Sequence, residues 1–187
     1  MHDDIKKAIE VLRSGGVILY PTDTIWGLGC DATNKEAVDR IYKIKQRNDS
    51  KSMLVLIDNP SKLTGYIDEV PGIAWDLIEV ADKPLTIIYP GAKNLPSNLV
   101  ASDGSIGIRV TNEEFSRNLC QRFRLPLVST SANISGNPAP GNFSEIDPEI
   151  IEQVDYVVQY RRDDLSKAAP SGIIKLGVGG EVTVIRK

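Results

Sequence analysis

Histidine is nearly missing from this chain: the only one is His2. A Ser-His-Asp or Cys-His relay needs an imidazole held in the folded interior, and a terminus prone to fraying does not supply it. Cysteine is scarce too. Cys30 and Cys120 lie 90 positions apart, with no CxxC pair, which argues against a zinc cluster or a disulfide framework and for a reducing, cytoplasmic setting. No apolar run approaches the roughly 18 residues of a membrane span, and the opening MHDDIKKAIEVLRSGG lacks the apolar stretch of a signal peptide. Positive charge is not in excess: the net charge is -3 and the pI about 5.3, unlike a protein whose whole surface coats nucleic acid or anionic membrane. Neither GxGxxG nor GxxxxGK[ST] occurs, so no common nucleotide fingerprint applies.

What the chain does contain is ordinary globular material, 187 residues with 41% hydrophobic and 25% charged. That length buries a sizeable core and is read as a single domain over 1–187. Ile5, Ala8, Ile9 and Leu12 recur at helical spacing, predicting a helix over 3–14 stopped by Gly15-Gly16. Asn34 is the expected N-cap of a second helix that turns Ala37, Ile41 and Ile44 inward and ends near Arg47. Further helices are expected at 71–81, 112–124 and 144–152. Strands are expected at 16–20, 53–57, 85–89, 105–110, 125–129, 155–160, 172–176 and 181–186, with polar loops at 90–104 and 161–171. The alternation predicts an α/β (α+β) fold, a twisted mixed sheet flanked by helices.

Three stretches carry candidate chemistry. YPTDTIWGLGCDA places Thr22, Asp23 and Thr24 just past a strand's carboxyl end, where open α/β sheets bind ligands; it reads equally as a glycine-containing connection. KIKQRNDSK gathers Lys43, Lys45, Arg47 and Lys51 at a helix end. Such cations either complement the helix dipole or clamp phosphates. On a continuing helix Lys45 and Arg47 would diverge by about 200°, so they converge only if the helix ends between them, as Asn48-Asp49-Ser50 suggests. STSANISG, residues 129–136, concentrates hydroxyls and the Asn133 amide, suited either to a capped turn or to an anion site. Arg109, inside the apolar strand GSIGIRV, requires an anionic partner, from this chain or from a ligand, because an unpaired buried guanidinium is costly.

Together YPTDTIWGLGCDA, the KQR of 45–47, PLTIIYPG, GSIGIRV and STSANISGNPAP resemble, in order and spacing, the motifs of the YrdC/TsaC family, the L-threonylcarbamoyladenylate synthases. The resemblance runs from about residue 5 to the C-terminus. It implies a twisted sheet with a concave, positively charged cavity, and a nucleotidyltransferase that joins L-threonine, bicarbonate and ATP into threonylcarbamoyl-AMP and pyrophosphate for tRNA threonylcarbamoyladenosine modification. The Lys-x-Arg motif falls on Lys45 and Arg47 and the Ser-x-Asn motif on Ser131 and Asn133, the expected catalytic residues. Thr24, Arg109, Ser129 and Ser171 correspond to threonine-binding positions. Arg47, Lys51, Ser105, Ser131, Ala139 and Arg186 correspond to ATP-binding positions. The implied partners include contact with tRNA and the downstream threonylcarbamoyl-transferase proteins, with no membrane. The chain departs from some members in having Lys51 for Asn, Leu56 for His, Lys83 for Gly, and Gly172 after Pro170-Ser171.

Carbamates form from amines and dissolved carbon dioxide unaided, so the demanding step is attack of an anionic carbamate on an anionic triphosphate. That step calls for cations in a partly dehydrated cavity rather than for a histidine base. Lys45, Arg47 and Lys51 are expected to supply the charge. Mg2+ is expected to enter with ATP, keeping several waters and needing few protein ligands; no protein metal site is assigned, although Asp23 is a candidate contributor. The rival readings are an RNA-binding or ribosome-maturation module and a divergent nucleotide-binding relative. The acidic pI and the 6% aromatic content weigh against the first.

Overall fold

The structure, a computed structural model, describes residues 1–47 and 53–187. Lys51, and the Asn48-Asp49-Ser50 helix stop, lie outside the described residues. Five α-helices are described: α1 (His2–Arg13), α2 (Lys35–Ile44), α3 (Ile73–Val80), α4 (Glu114–Phe123) and α5 (Pro148–Gln153). Nine strands are described: β1 (Ile18–Tyr20), β2 (Gly27–Gly29), β3 (Leu54–Ile57), β4 (Leu85–Tyr89), β5 (Ile106–Val110), β6 (Leu127–Ser131), β7 (Tyr156–Val157), β8 (Gly172–Leu176) and β9 (Val182–Arg186). They form one mixed sheet in the order β7-β1-β2-β6-β3-β5-β4-β8-β9. β1 with β7, β3 with β5 and β4 with β8 run parallel, and the remaining neighbours antiparallel.

Helix α2 forms as its sequence dictates. The Asn34 side chain accepts from the Ala37 N–H at 3.0 Å, relieving one orphan donor of the first turn, and Ala37, Ile41 and Ile44 are buried. It stops three residues earlier than expected. Gln46 takes a left-handed φ of 49°, and the N–H groups of Gln46 and Arg47 return to the carbonyls of Lys43 and Tyr42, the two bonds of a Schellman ending. Lys45 and Arg47 therefore both lie beyond the last helical residue.

Strand β2 was not expected, because Gly-Leu-Gly carries little strand propensity. Close packing explains it: a Cβ on Gly29 would stand 2.5 Å from Tyr20 Cε1 and 3.0 Å from the Val128 carbonyl. Only glycine lets β2 fit between β1 and β6. β6 itself starts two residues later than expected and runs on to Ser131, so the first part of STSANISG is strand, paired with β2 on one side and β3 on the other. The sequence reading also missed the 3-10 turn Pro60–Gly65, and α5 begins at Pro148, capped by Asp147, rather than at 144. α4 packs on β3 and against α1, and the buried apolar side chains form one cluster.

Candidate active site

The sheet's alternation builds the site. Side chains at every second position share a face, and along seven neighbouring strands those positions are Gly27, Ser129 and Ser131, Leu54, Gly107 and Arg109, Thr86 and Ile88, Ile173, and Arg186. All of them line one cavity of about 280 Å³. Register brings them together: Gly27 lies opposite Ser131, Leu54 opposite Ser129, Thr86 and Ile88 opposite Arg109 and Gly107, and Ile173 opposite Arg186. Segments outside the sheet complete the walls with Thr24 and Ile25, Arg47, Met53, Ala139, Pro170 and Ser171. Gly27 keeps the floor open, since a Cβ there would come within 3.2 Å of the Thr130 carbonyl and 3.4 Å of Ser129 Oγ.

Arg109 has the anionic partner its burial requires. Its Nη2 stands 3.0 Å from Asp23 Oδ1, and both side chains are largely buried, at 3% and 12% exposure. The contact is an ion pair without hydrogen-bond alignment, because Asp23 Oδ1 and Arg109 Nε lack hydrogen-bond partners. Nη2 also reaches Thr24 Oγ1 at 3.3 Å, and Nη1 reaches Thr86 Oγ1 at 3.4 Å. Thr86 Oγ1 in turn lies 2.9 Å from Ser171 Oγ, and Arg186 Nε donates to the Ser171 carbonyl at 2.8 Å. Burial pushes the Asp23 carboxyl up, against the opposing pull of Arg109. Thr86 is the residue that sequence reasoning missed. Its signal was present: a hydroxyl inside the apolar run LTIIY, in phase with the cavity-facing positions.

Lys45 is placed differently from the expectation of a cation facing phosphate. Its side chain is buried, and its Nζ donates to the carbonyls of Ser131 and Asn133, the latter at 2.8 Å, and to Asn133 Oδ1 at 3.3 Å. Its own carbonyl accepts from Ser135 N–H at 2.8 Å. Burial, then the charge of Arg47, push its ammonium down to about 7, while the three oxygens it faces favour the protonated donor form. Asn133 spends its amide on the carbonyls of Ile134 and Asn137, at 3.1 and 2.7 Å. Each two-residue motif thus divides its labour: Arg47 and Ser131 line the cavity, whereas Lys45 and Asn133 stand behind and brace the turn after β6.

Of the other expected positions, Thr24, Ser129, Ser171, Ala139 and Arg186 line the cavity. Ser105 does not; its hydroxyl bonds Asp103 Oδ1 at 2.5 Å, and Asp103 Oδ2 takes Lys175 Nζ at 2.6 Å. Leu56 is fully buried and is not part of the lining. Among the described lining residues are three guanidinium groups and no carboxylate. No cluster of three or more His, Cys, Asp or Glu side chains is present among the described residues, and the Asp23 carboxylate is engaged by Arg109. The described donor set does not build a resident Mg2+ site. No described helix is long and apolar enough to cross a membrane.

Comparison with known proteins agrees with this architecture. Residues 10–187 match the Sua5/YciO/YrdC family, described as "Telomere recombination". A protein of Pseudoalteromonas translucida named threonylcarbamoyl-AMP synthase is 38% identical over 95% of this chain and 95% of its own length. One of the same name from Vibrio cholerae is 34% identical over 84% and 85%. Among solved structures, E. coli YciO superposes with a TM-score of 0.86 at 28% identity, covering 100% of this chain and 90% of that one. P. abyssi Sua5 complexed with L-threonine superposes with a TM-score of 0.83 at 24% identity, a likeness of fold, over 92% of this chain. The chain spans about half the length of that Sua5 chain, 50%. With residues 10–187 matched and two synthases aligned over most of their length, the chain belongs to the Sua5/YciO/YrdC family.

Proposed function

We propose that the chain is a threonylcarbamoyl-AMP synthase that joins L-threonine, bicarbonate and ATP to give threonylcarbamoyl-AMP, pyrophosphate and water. The observation that carries the proposal is a single cavity lined both by Arg109, Thr24, Thr86 and Ser171, a set suited to a carboxylate, and by Arg47, Ser131 and Arg186, a set suited to phosphates. The cavity, at about 280 Å³, is at the small end of ligand sites and suits an amino acid on its floor.

In this reading Arg109 holds the threonine carboxylate, and Ser129 faces the amino acid. The carbamate oxygen attacks the α-phosphorus, the bond to the β-phosphate oxygen breaks, and pyrophosphate leaves. Arg47 and Arg186 offset the repulsion between carbamate and triphosphate; Arg47, half-buried, acts more strongly there than it would in water, and Arg186 reaches the cavity from the exposed strand β9. Ser131 donates to a phosphate oxygen, with Lys45 and Asn133 fixing its position. A divalent cation, where ATP brings one, would come as part of that substrate, and no residue role here depends on it. The product is a reactive mixed anhydride, consumed by threonylcarbamoyl-transferase proteins acting on tRNA.

The test is pyrophosphate release from ATP by the purified chain, with threonine and bicarbonate added singly and together and with serine replacing threonine. Release that requires both and prefers threonine is the expected result. A folded protein that releases none in any combination, yet binds RNA with steep salt dependence, would return the RNA-binding reading.

A further inference from the structure

Asp23 is a feature of this site that the proposed chemistry leaves unused. It does not line the main cavity. It lines a second one of about 150 Å³, behind Arg109, together with the apolar side chains of Ile78, Leu85, Ile87 and Ile108 and the rim residues Asp82, Lys83 and Asn112. Arg109 therefore lies between two anion positions, Asp23 on one side and the open cavity on the other. Among the described residues, the charged groups around Asp23 are few. Arg109 of β5 is in direct contact, Glu113 lies just beyond β5 and is itself 3.7 Å from Arg161, and Asp82 and Lys83 stand at the rim. Tyr20 of β1 and Cys120 of α4, both buried, are held neutral by desolvation.

We infer that Asp23 is a positioning residue for Arg109 that surrenders its charge when a ligand carboxylate docks on the guanidinium, taking up one proton per ligand bound. The inference rests on Arg109 being the carboxylate anchor of the proposed function. A second carboxylate on the same buried guanidinium repels the first and competes with it for that one positive charge, which favours protonation of the less solvated of the two. Asp23 is that group, since burial already raises it and Glu113 adds repulsion of the same sign. The second cavity gives its carboxyl a side away from the bound ligand, so the proton arrives from solvent on docking and returns on release. In the empty site the same carboxylate holds the guanidinium in place and offsets its buried charge, a contact that would otherwise be very costly to leave unmade.

The experiment is calorimetric titration of the full chain with L-threonine between pH 6 and 8, in buffers of different ionisation enthalpy, repeated with Asp23→Asn. Net proton uptake, with the threonine Kd tightening by up to about tenfold per pH unit of acidification, and loss of both effects in Asp23→Asn, is the expected result. Equal pH slopes in the two proteins would overturn the inference. Carboxyl-carbon NMR covers an Asp23→Asn variant that fails to fold: the Asp23 resonance should titrate higher with threonine present and higher in Arg109→Gln. An Asp23 titration indifferent to both sinks the inference. A shift in Arg109→Gln with no threonine binding to the wild type supports the Asp23–Arg109 coupling and defeats the threonine reading instead.

Discussion

Lys45→Met separates a bracing lysine from a catalytic one. Methionine keeps most of the stem's volume and removes the ammonium, so the Asn133 main-chain carbonyl loses its donor, whereas the Ser131 carbonyl, which Lys45 also meets, keeps the Asn133 N–H at 2.9 Å. Each unsatisfied buried acceptor costs about 1–3 kcal/mol. Asn133 Oδ1 is bound at 3.3 Å, beyond the usual N–H···O range, and its loss adds little. One part-buried carbonyl gives about 1–3 kcal/mol, reduced because an ammonium no longer has to be desolvated, which leaves about 0.5–2 kcal/mol. With a urea m-value near 2 kcal/mol/M, the unfolding midpoint should fall by roughly 0.25–1 M. Turnover should fall with it, because the turn that carries Ser131 is no longer held. The assay is urea unfolding followed by tryptophan fluorescence, alongside pyrophosphate release. An unchanged midpoint with abolished turnover would refute the reasoning and show that the ammonium acts on a ligand.

Two further predictions test the floor and the frame. Gly27→Ala should lower turnover by about tenfold or more, since its methyl would occupy the cavity against a main-chain carbonyl that cannot move aside; steady-state kinetics at saturating ATP would read the loss, and the cost in stability should stay within about 1–3 kcal/mol. Asp4→Asn should remove an acid-sensitive part of the stability. Burial acts to raise the Asp4 carboxyl, but the Gln159 N–H, the Tyr156 hydroxyl, the N-terminal ammonium and the Tyr160 N–H together hold it below the ordinary range. A carboxyl lowered in the folded state stabilises fully above its unfolded value, near 3.9, and that contribution is lost as pH falls through the lower folded value. Wild type should therefore exceed Asp4→Asn by about 1–3 kcal/mol at pH 7, with the gap closing towards pH 3 in thermal melts.

Local chemistry was legible wherever it was self-contained. The Asn34 cap, the inward face of α2, and the long apolar strands β3, β4 and β8 follow from periodicity that a short window contains. The requirement for an anion beside Arg109 was legible for the same reason, because one guanidinium in an apolar strand is a problem visible in the sequence. Its solution was not. Asp23 lies 86 positions away and meets Arg109 only when the β1–β2 connection folds over β5.

The sequence by itself determined the mixed α/β class, most of the strands and the membership of the motifs in one site, since motif order and residue type are properties of the chain. Tertiary structure alone decided which motif residues face the cavity and which support it from behind. Lys45 and Arg47 carry like charges two positions apart, yet a left-handed residue between them sends one ammonium into the turn after β6 and leaves the other cation at the cavity wall. Thr86 joined the site through its register opposite Arg109, and β2 formed because glycine alone fits beside Tyr20. Register and close approach are relations between segments far apart in the chain, and no local preference encodes them.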